Sequence, residues 1–536
     1  MLITFFVILI LFLITHITGY GLLLFISNNV FKQKDYKPEL GLTNIIGLAL
    51  IALITSILHL FFKINFWAVF WGVAVSLSVS KKLWNDLWNN IKYKKTIVAG
   101  LLFAGVVSIV SRPGTGDIGD YHLQAILWAK EFPNIIGLGN FNRPLANNNW
   151  WFNVQALFGI KAISLYTLNA VFFISVMLFL LLHNSRHLLV QTIKIPLLLF
   201  VAISTKTAFV GSVTPDYIVT LIIFVSIFLF SRFCFEPNKT DAFILIVLSA
   251  FAVTIKLNAI MLIPFSLYAF WIYYKNEFWS KCIIQPVIIY ALFFIPWLIG
   301  NIIVSGWLAY PINIIDLFDV DWKVPEEILA YERFSIKQWG KIPGNDIYET
   351  AKLSFFEWFP IWFGNNDLFN KILLTGLPLI TVISLFFINK ENRKLWLALV
   401  LFGISGTLFC FSNGPHIRYA YGYIFMILSG TFAVVYIKFI SIKIRDLAVV
   451  YVFLCLVPVL IKLYQFQKTG VLAHVLFYPP AYTKSTAQQQ KLGNETIYIT
   501  TQNSNCWDLF PCSYYMVEGC VLRGNDFNNG FKIKKQ

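Results

Sequence analysis

MLITFFVILILFLITHITGYGLLLFISN, residues 1–28, decides what kind of protein this is. The run carries no Asp, Glu, Lys or Arg, and it exceeds the ~20 apolar residues that a helix needs to cross a bilayer core. It has no basic leading segment and no small-residue cleavage site. The expectation is therefore a retained first helix rather than a signal peptide.

Further apolar runs follow near 41–62, 64–80, 96–111, 162–182, 195–213, 217–233, 241–255, 257–274, 282–304, 370–389, 395–412, 419–438 and 446–463. With the first run these make about fourteen spans, so the reading is an all-α integral membrane protein. The whole chain agrees: its 536 residues are 58% hydrophobic and only 13% charged, and the mean hydropathy is +0.70. A soluble chain carries about a quarter of its residues charged. The net charge of +16 does not point to nucleic acid, because the basic residues lie between apolar runs instead of forming one stripe.

Orientation comes from the loops. Lys81, Lys82, Lys92, Lys94 and Lys95 share one loop, and other basic groups are Lys32/Lys34/Lys37, Arg186/Lys194, Arg232/Lys239, Lys275/Lys281, Lys390/Arg393/Lys394 and Lys438/Lys443/Arg445. These are alternate loops, so they face the cytoplasm together. Both termini then lie on the non-cytoplasmic side. So do three polar blocks, 112–161, 305–369 and a tail 464–536 with a strand at 496–501. The organisation reads as a membrane part (1–463) and a small α+β tail docked on it. Block 305–369 is acidic and aromatic, which points to short helices lying on the membrane surface. Cys506, Cys512 and Cys520 cluster in the tail and allow at most one disulfide and one free thiol. No zinc-type cysteine or histidine spacing occurs.

Ionisable residues gather at the outer ends of the spans. Asp117 and Asp120 sit three apart, followed by Tyr121 and His122 and preceded by Arg112. Such carboxylates can act as a base, position a hydroxyl or hold a divalent ion; capping of a helix over 121–132 is the plain alternative. Asp216 follows Pro215 at a span start, where capping is again the alternative. Lys256 and Asn258 interrupt an apolar stretch, and a lysine there also fits snorkelling. His416 and Arg418 lie in a short outer turn, where an arginine can clamp a phosphate or anchor the interface. Asp316, Asp319 and Asp321 are spaced for a hard cation or a solvated loop, and Asn147–Asn149 before Trp150 offer amides beside aromatic faces.

The layout resembles the GT-C class of multi-pass glycosyltransferases, which take sugars from polyprenyl-phosphate carriers. Asp117-Ile-Gly-Asp-Tyr121 is similar to the class's acidic first outer loop, with Ile118 where Glu is usual. VTPDYIVTLIIF (213–224), TIKLNAIMLIP (254–264) and IRYAYGY (417–423) resemble its other elements. YHLQAI, GLGNFNRPLANNNWWF, SGWLAYP, DVDWKVP, CWDLFPCSYY and VLRGNDFNNGF resemble a family of largely uncharacterised bacterial multi-pass membrane proteins, over most of residues 96–536.

The resemblance implies a bacterial plasma-membrane glycosyltransferase with its core at 96–463 and the first three helices (1–95) as an extension, since the class meets its catalytic loop after one span. It would move a sugar from a polyprenyl-phosphate donor to a glycan, lipid or protein acceptor in the cell envelope, among membrane lipids. It casts Asp117 as base or acceptor-positioning group with Asp120 in support. Arg418, aided by His416 and Lys256, would hold the phosphate, with Asp216, Tyr121 and His122 beside it. It leaves a divalent cation open as cofactor. The alternatives are an envelope polysaccharide polymerase or ligase, and a transporter or flippase of lipid-linked glycans. The latter expects paired charges and broken helices at mid-membrane.

Overall fold

The computed structural model describes residues 1–33, 36–64, 80–92, 94–110, 117–158, 167–183, 185–207, 209–274, 279–439, 448–473, 485, 487–500, 505–507 and 509–534. The expected run at 64–80 (from residue 65 to 79) and Lys34, Arg112, Lys275, Lys443 and Arg445 fall outside the described residues.

Every other expected run overlaps a helix, although 195–213 runs ten residues past the end of Leu188–Ile203, and residues 111, 162–166, 208 and 446–447 of these runs fall outside the described residues. Without water, a backbone must satisfy its own hydrogen bonds, and a long unbroken apolar run does this only as a helix. Ten helices are long and apolar enough to cross a membrane, from Leu2–Val30 and Leu42–His59 to Ile417–Phe439 and Ala448–Lys468. Lys95–Val110, Thr167–Leu182 and Lys239–Ile255 are shorter, at 16, 16 and 17 residues. Among the described residues, ten helices therefore meet the length and apolarity of a span, fewer than the fourteen expected. Pro196, Pro286, Pro296, Pro378 and Pro458 lie inside helices that continue through them.

Close approach shows how the bundle starts. A Cβ on Gly19 would lie 1.8 Å from the Thr43 carbonyl oxygen, and one on Gly47 1.9 Å from that of Thr15. Only glycines let helices Leu2–Phe25 and Leu42–His59 pack this tightly. Polar glue joins them: the Asn44 amide donates to Thr15 Oγ1 (2.9 Å), and His16 Nδ1 meets Thr43 Oγ1 (2.7 Å). Other helices present bare apolar stripes, such as Ile284, Val287, Ile288, Leu292 and Ile295 on Trp279–Ser305. A stripe of that kind suits lipid and not water.

At one end of the bundle lie the polar blocks. The first holds a π-turn (Ile118–His122), a helix (Leu123–Glu131) and a helix Trp150–Phe158. The second holds Glu326–Lys341, Ile347–Lys352 and Phe355–Asn365. The last of these starts on a Ser354/Glu357 capping box and exposes Phe355 and Phe356.

The tail is a lobe of five short strands: β1 Gln488–Leu492, β2 Glu495–Ile499, β3 Cys512–Ser513, β4 Cys520–Leu522 and β5 Phe531–Ile533. β1 and β2 pair antiparallel, β2 and β3 parallel, and β4 and β5 antiparallel. The strand expected at 496–501 is β2, displaced by one or two residues. Cys506 and Cys512 form a disulfide, and Cys520 is free and buried. Phe527 and Phe531 pack on Trp128 and Phe141 of the first block. So small a lobe gains its core by sharing one. Backbone bonds from Phe531 to Ile136 (2.8 Å) and from Val517 to Asn140 (3.0 Å) seal the seam.

The far end of the bundle carries its own charge network. Arg232, in the last turn of Pro215–Phe235, bonds Glu39 (2.6 Å) and Asp241 (2.8 Å). Its two carboxylate partners leave it fully occupied, as a structural tie between three chain segments.

Candidate functional site

Four chain segments meet where helix Pro215–Phe235 begins. Pro215 suits the first helical position because its missing N–H would go unbonded there anyway. Asp216 follows it but does not cap: its carboxylate turns sideways to the Lys256 ammonium and to Arg418, whose Nε lies 3.4 Å from Asp216 Oδ2. Lys256 stands at a break. Helix Lys239–Ile255 stops there because Lys256 is extended (φ −157°, ψ 130°), and a 3-10 turn, Leu257–Met261, continues. Arg418 lies in the first turn of Ile417–Phe439 and donates through Nη2 to Asp117 Oδ2 at 3.1 Å.

Two carboxylates thus face two cations. The Asp216 side chain is 8% exposed, whereas Asp117 and Lys256 keep 33% and 31%. The open side of the cluster is therefore the Asp117–Lys256 side. Asp117 precedes the π-turn and makes no capping bond, so the plain capping reading fails for it as it does for Asp216. A π-turn widens the helix by one residue, a device common where side chains must be aimed.

Aromatic rings wall the charges. Tyr419 Oη accepts from Arg418 Nη2 (3.2 Å), and its ring lies under the Lys256 ammonium at 4.0 Å. Trp339 lies 5.4 Å from the Arg418 guanidinium and stacks on His416 at 5.5 Å. Neither Trp339 nor Tyr419 was singled out by sequence. Tyr419 lay inside the quoted IRYAYGY, but nothing in the sequence around Trp339 marked it.

The remaining candidates separate. His416 is pushed down to about 4 by burial and by the Arg418 charge, so at neutral pH it is uncharged. Its Nδ1 accepts from the Arg418 backbone N–H (3.3 Å), which makes it a wedge under the turn, not a cation for a phosphate. His122 is also pushed down to about 4, mainly by burial, and sits between Tyr121 (4.4 Å) and Phe152 (5.0 Å). Burial also holds the Tyr121 phenol well above its ordinary value, so it stays protonated beside Asp117 and Arg418.

Asp120 does not join Asp117 on Arg418. It accepts from the Asn505 amide of the tail at 2.7 Å. Burial, reinforced by the nearby Asp117 charge, raises its pKa to about 6. The tail closes over this turn: Trp507 N–H donates to the Gly119 carbonyl (3.0 Å), and a Cβ on Gly119 would come 2.8 Å from Asn505. Gln124 completes the joint, donating to the Leu509 carbonyl (2.7 Å) and accepting from Cys512 N–H (3.0 Å).

Two of the three loop aspartates are otherwise engaged, and Asp319 makes no ion pair among the described residues. Asp316 pairs with Lys323, and Asp321 with Arg523 at 3.0 Å and Lys532 at 3.9 Å. Asn147–Asn149 line a cavity of ≈ 40 Å³ with His59, Trp128 and Asn134. That is room for a few waters and not for a sugar ring. No group of three metal-ligating side chains occurs among the described residues. In the Asp117–Asp216 cluster fixed cations already balance both carboxylates, so this donor set does not fit a divalent ion.

A family model described as a domain of unknown function (DUF8201) matches residues 1–425, and the chain belongs to that family. The match spans the first 95 residues as well as the bundle up to helix Ile417–Phe439, and the tail lies beyond it. No curated protein and no solved structure matches the chain.

Proposed function

We propose that this member of the family is a multi-pass membrane glycosyltransferase that moves a sugar from a polyprenyl-phosphate donor to a cell-envelope acceptor. The observation that carries the reading is the contact of Asp117 with Arg418 beside Asp216 and Lys256. Residues 301 positions apart come together at the polar end of an apolar bundle. That is where a lipid-borne phosphate presents its charge.

The topology proposed is fourteen spans, counting the shorter helices and the run at 64–80. Basic loops face the cytoplasm, and both termini lie outside. The Cys506–Cys512 disulfide supports this, because disulfides persist on the oxidising side of a membrane. So does the charge network of Arg232, which falls at the opposite end from the site.

The charges suggest an order of events. With no donor bound, Arg418 is held in place by two carboxylates, so its fork is aimed in advance. A donor phosphate entering from the open side takes over Arg418 Nη2 and the Lys256 ammonium. Asp117 is thereby released. The acceptor hydroxyl gives its proton to Asp117 as its oxygen bonds to the anomeric carbon. The bond from that carbon to the phosphate oxygen breaks, and the electron pair leaves with the lipid phosphate, stabilised by Arg418 and Lys256. Asp216 stays behind the two cations throughout. An apolar groove of ≈ 550 Å³ between Met1, Leu2, Phe5, Ala99, Leu102, Phe103 and Val106 suits a hydrocarbon chain.

The test is transfer from a labelled polyprenyl-phosphate sugar in proteoliposomes. D117N and R418A should each lower turnover by about 100-fold or more, the scale of a lost general base or charge clamp. Full turnover in both variants would make the assignment wrong. Movement of the lipid-linked sugar without covalent transfer would point to a flippase.

A further inference from the structure

A second polar cluster lies where the three outer blocks meet, and among the described residues its charged groups make no hydrogen bond or ion pair with protein. Arg143 comes from the first block. Its guanidinium lies 4.7 Å from the Tyr331 ring of helix Glu326–Lys341 and 5.6 Å from the Tyr515 ring of the tail. Its backbone N–H donates to the Tyr515 carbonyl (3.3 Å), so the arginine is fixed to the tail. Yet among the described residues the guanidinium makes no hydrogen bond and no ion pair.

Glu332, next along the helix from Tyr331, is 8% exposed, and its carboxylate is likewise unpaired among the described residues. Arg143 is near enough to pull the Glu332 pKa down against a larger rise from burial, but it does not bridge to it. The Tyr310 hydroxyl, in a residue 2% exposed, has no partner and feels both charges. Asn142, fully buried beside Arg143, leaves both ends of its amide unbonded.

The Tyr310 hydroxyl and the Asn142 amide are buried without partners, which costs free energy unless a ligand or water fills the gap. The mix of charges narrows the ligand. An anion would meet the Glu332 carboxylate, and a cation would meet Arg143. A neutral, hydroxyl-rich molecule satisfies both, since its hydroxyls donate to the carboxylate and accept from the guanidinium fork. The tyrosine rings add flat, amphipathic walls.

The same tail touches both clusters: Tyr515 lies 5.6 Å from the Arg143 guanidinium, and Asn505 bonds Asp120 at 2.7 Å.

We infer that Arg143, Glu332, Tyr310, Tyr331 and Tyr515 form a saccharide-binding subsite that holds the glycan acceptor with its hydroxyl end toward Asp117. The word acceptor rests on the glycosyl-transfer reading; the saccharide chemistry does not.

The experiment is therefore run without donor lipid. Binding of the neutral trisaccharides maltotriose, chitotriose and mannotriose to detergent-solubilised full-length protein is measured by saturation-transfer NMR and calorimetry. At least one should bind saturably. R143Q and E332Q should each weaken it by about 10-fold or more, the scale of one lost charge-assisted hydrogen bond, while K352Q, on an exposed helix, should not. Glu332→Gln preserves shape, so it keeps the test sound if Arg143→Gln loosens the tail. No binding by any of the three, or wild-type affinity in both variants, overturns the subsite. Binding without any transfer activity would remove the enzymatic reading and leave the subsite standing.

Discussion

Asn505 donates its side-chain amide to Asp120 at 2.7 Å, joining the C-terminal tail to a turn 385 residues earlier. The bond lies one residue beyond Gly119, whose carbonyl accepts from Trp507. A lobe outside the matched family domain therefore clamps the turn that presents Asp117.

Asp120 should leave a signature in pH-dependent stability. Burial and the Asp117 charge raise it to about 6, above the 3.8 of a free Asp. A carboxyl with a raised folded-state pKa binds its proton more tightly when folded. Its stabilising contribution is full below about pH 4 and is lost as pH rises through about 6. Thermal midpoints of wild type minus D120N should fall from pH 4 to pH 7. A flat difference would show that Asp120 titrates normally. D117N should shift the fall to lower pH, because one cause of the raised value is removed.

The disulfide should hold the clamp. A loop closed by Cys506 and Cys512, six residues apart, constrains the unfolded tail by about 2 kcal/mol. A C506S/C512S double variant should be cut faster by trypsin at Lys491 and Arg523 while the helical bundle stays resistant. Unchanged cleavage would mean that the shared core of Trp128, Phe527 and Phe531 suffices alone.

The arginine fork should not be replaceable by a point charge. Arg418 reaches Asp117 through Nη2 and Asp216 through Nε, at 3.1 and 3.4 Å. A lysine cannot span both. R418K should therefore keep no more than about a tenth of wild-type transfer, a loss of ~1.4 kcal/mol in barrier terms. Rescue by lysine in the transfer assay would show that charge alone matters.

Trp362 should support the site from outside. Its indole N–H donates to the Pro415 carbonyl at 2.5 Å, and its ring packs on Phe411 (5.7 Å). W362F should cost about 1 kcal/mol for the lost bond, and W362A ~3–5 kcal/mol with the cavity added. Both are read from thermal midpoints. Equal losses would mean that the hydrogen bond carries the whole effect.

Orientation is checked by labelling. Lys352 and Lys390 are both exposed. In intact cells K352C should react with a membrane-impermeant maleimide, and K390C only after the membrane is opened. The reverse pattern would invert the topology.

Much of the fold was legible because the bilayer penalty acts on each segment by itself. A run such as residues 1–28 declares a helix whatever surrounds it, and every described run did become one. The same penalty exposed Asp117, Asp216, Lys256 and Arg418, since a charge at the edge of an apolar run stands out. Boundaries were less legible. Helix Leu188–Ile203 starts seven residues before and ends ten residues before the expected run 195–213, because composition does not say where a helix begins or ends.

Partnership was not legible at all. Nothing near Asp120 says that it turns to Asn505 while Asp117 takes Arg418, and no local pattern marks Trp339. His416 reads as a cation until burial shows it to be neutral. By itself the sequence determined an apolar helical bundle with ionisable groups at its ends, because solvation cost is paid residue by residue. Only the tertiary structure decided which of those groups touch, since pairing depends on distance through space and distance along the chain does not report it.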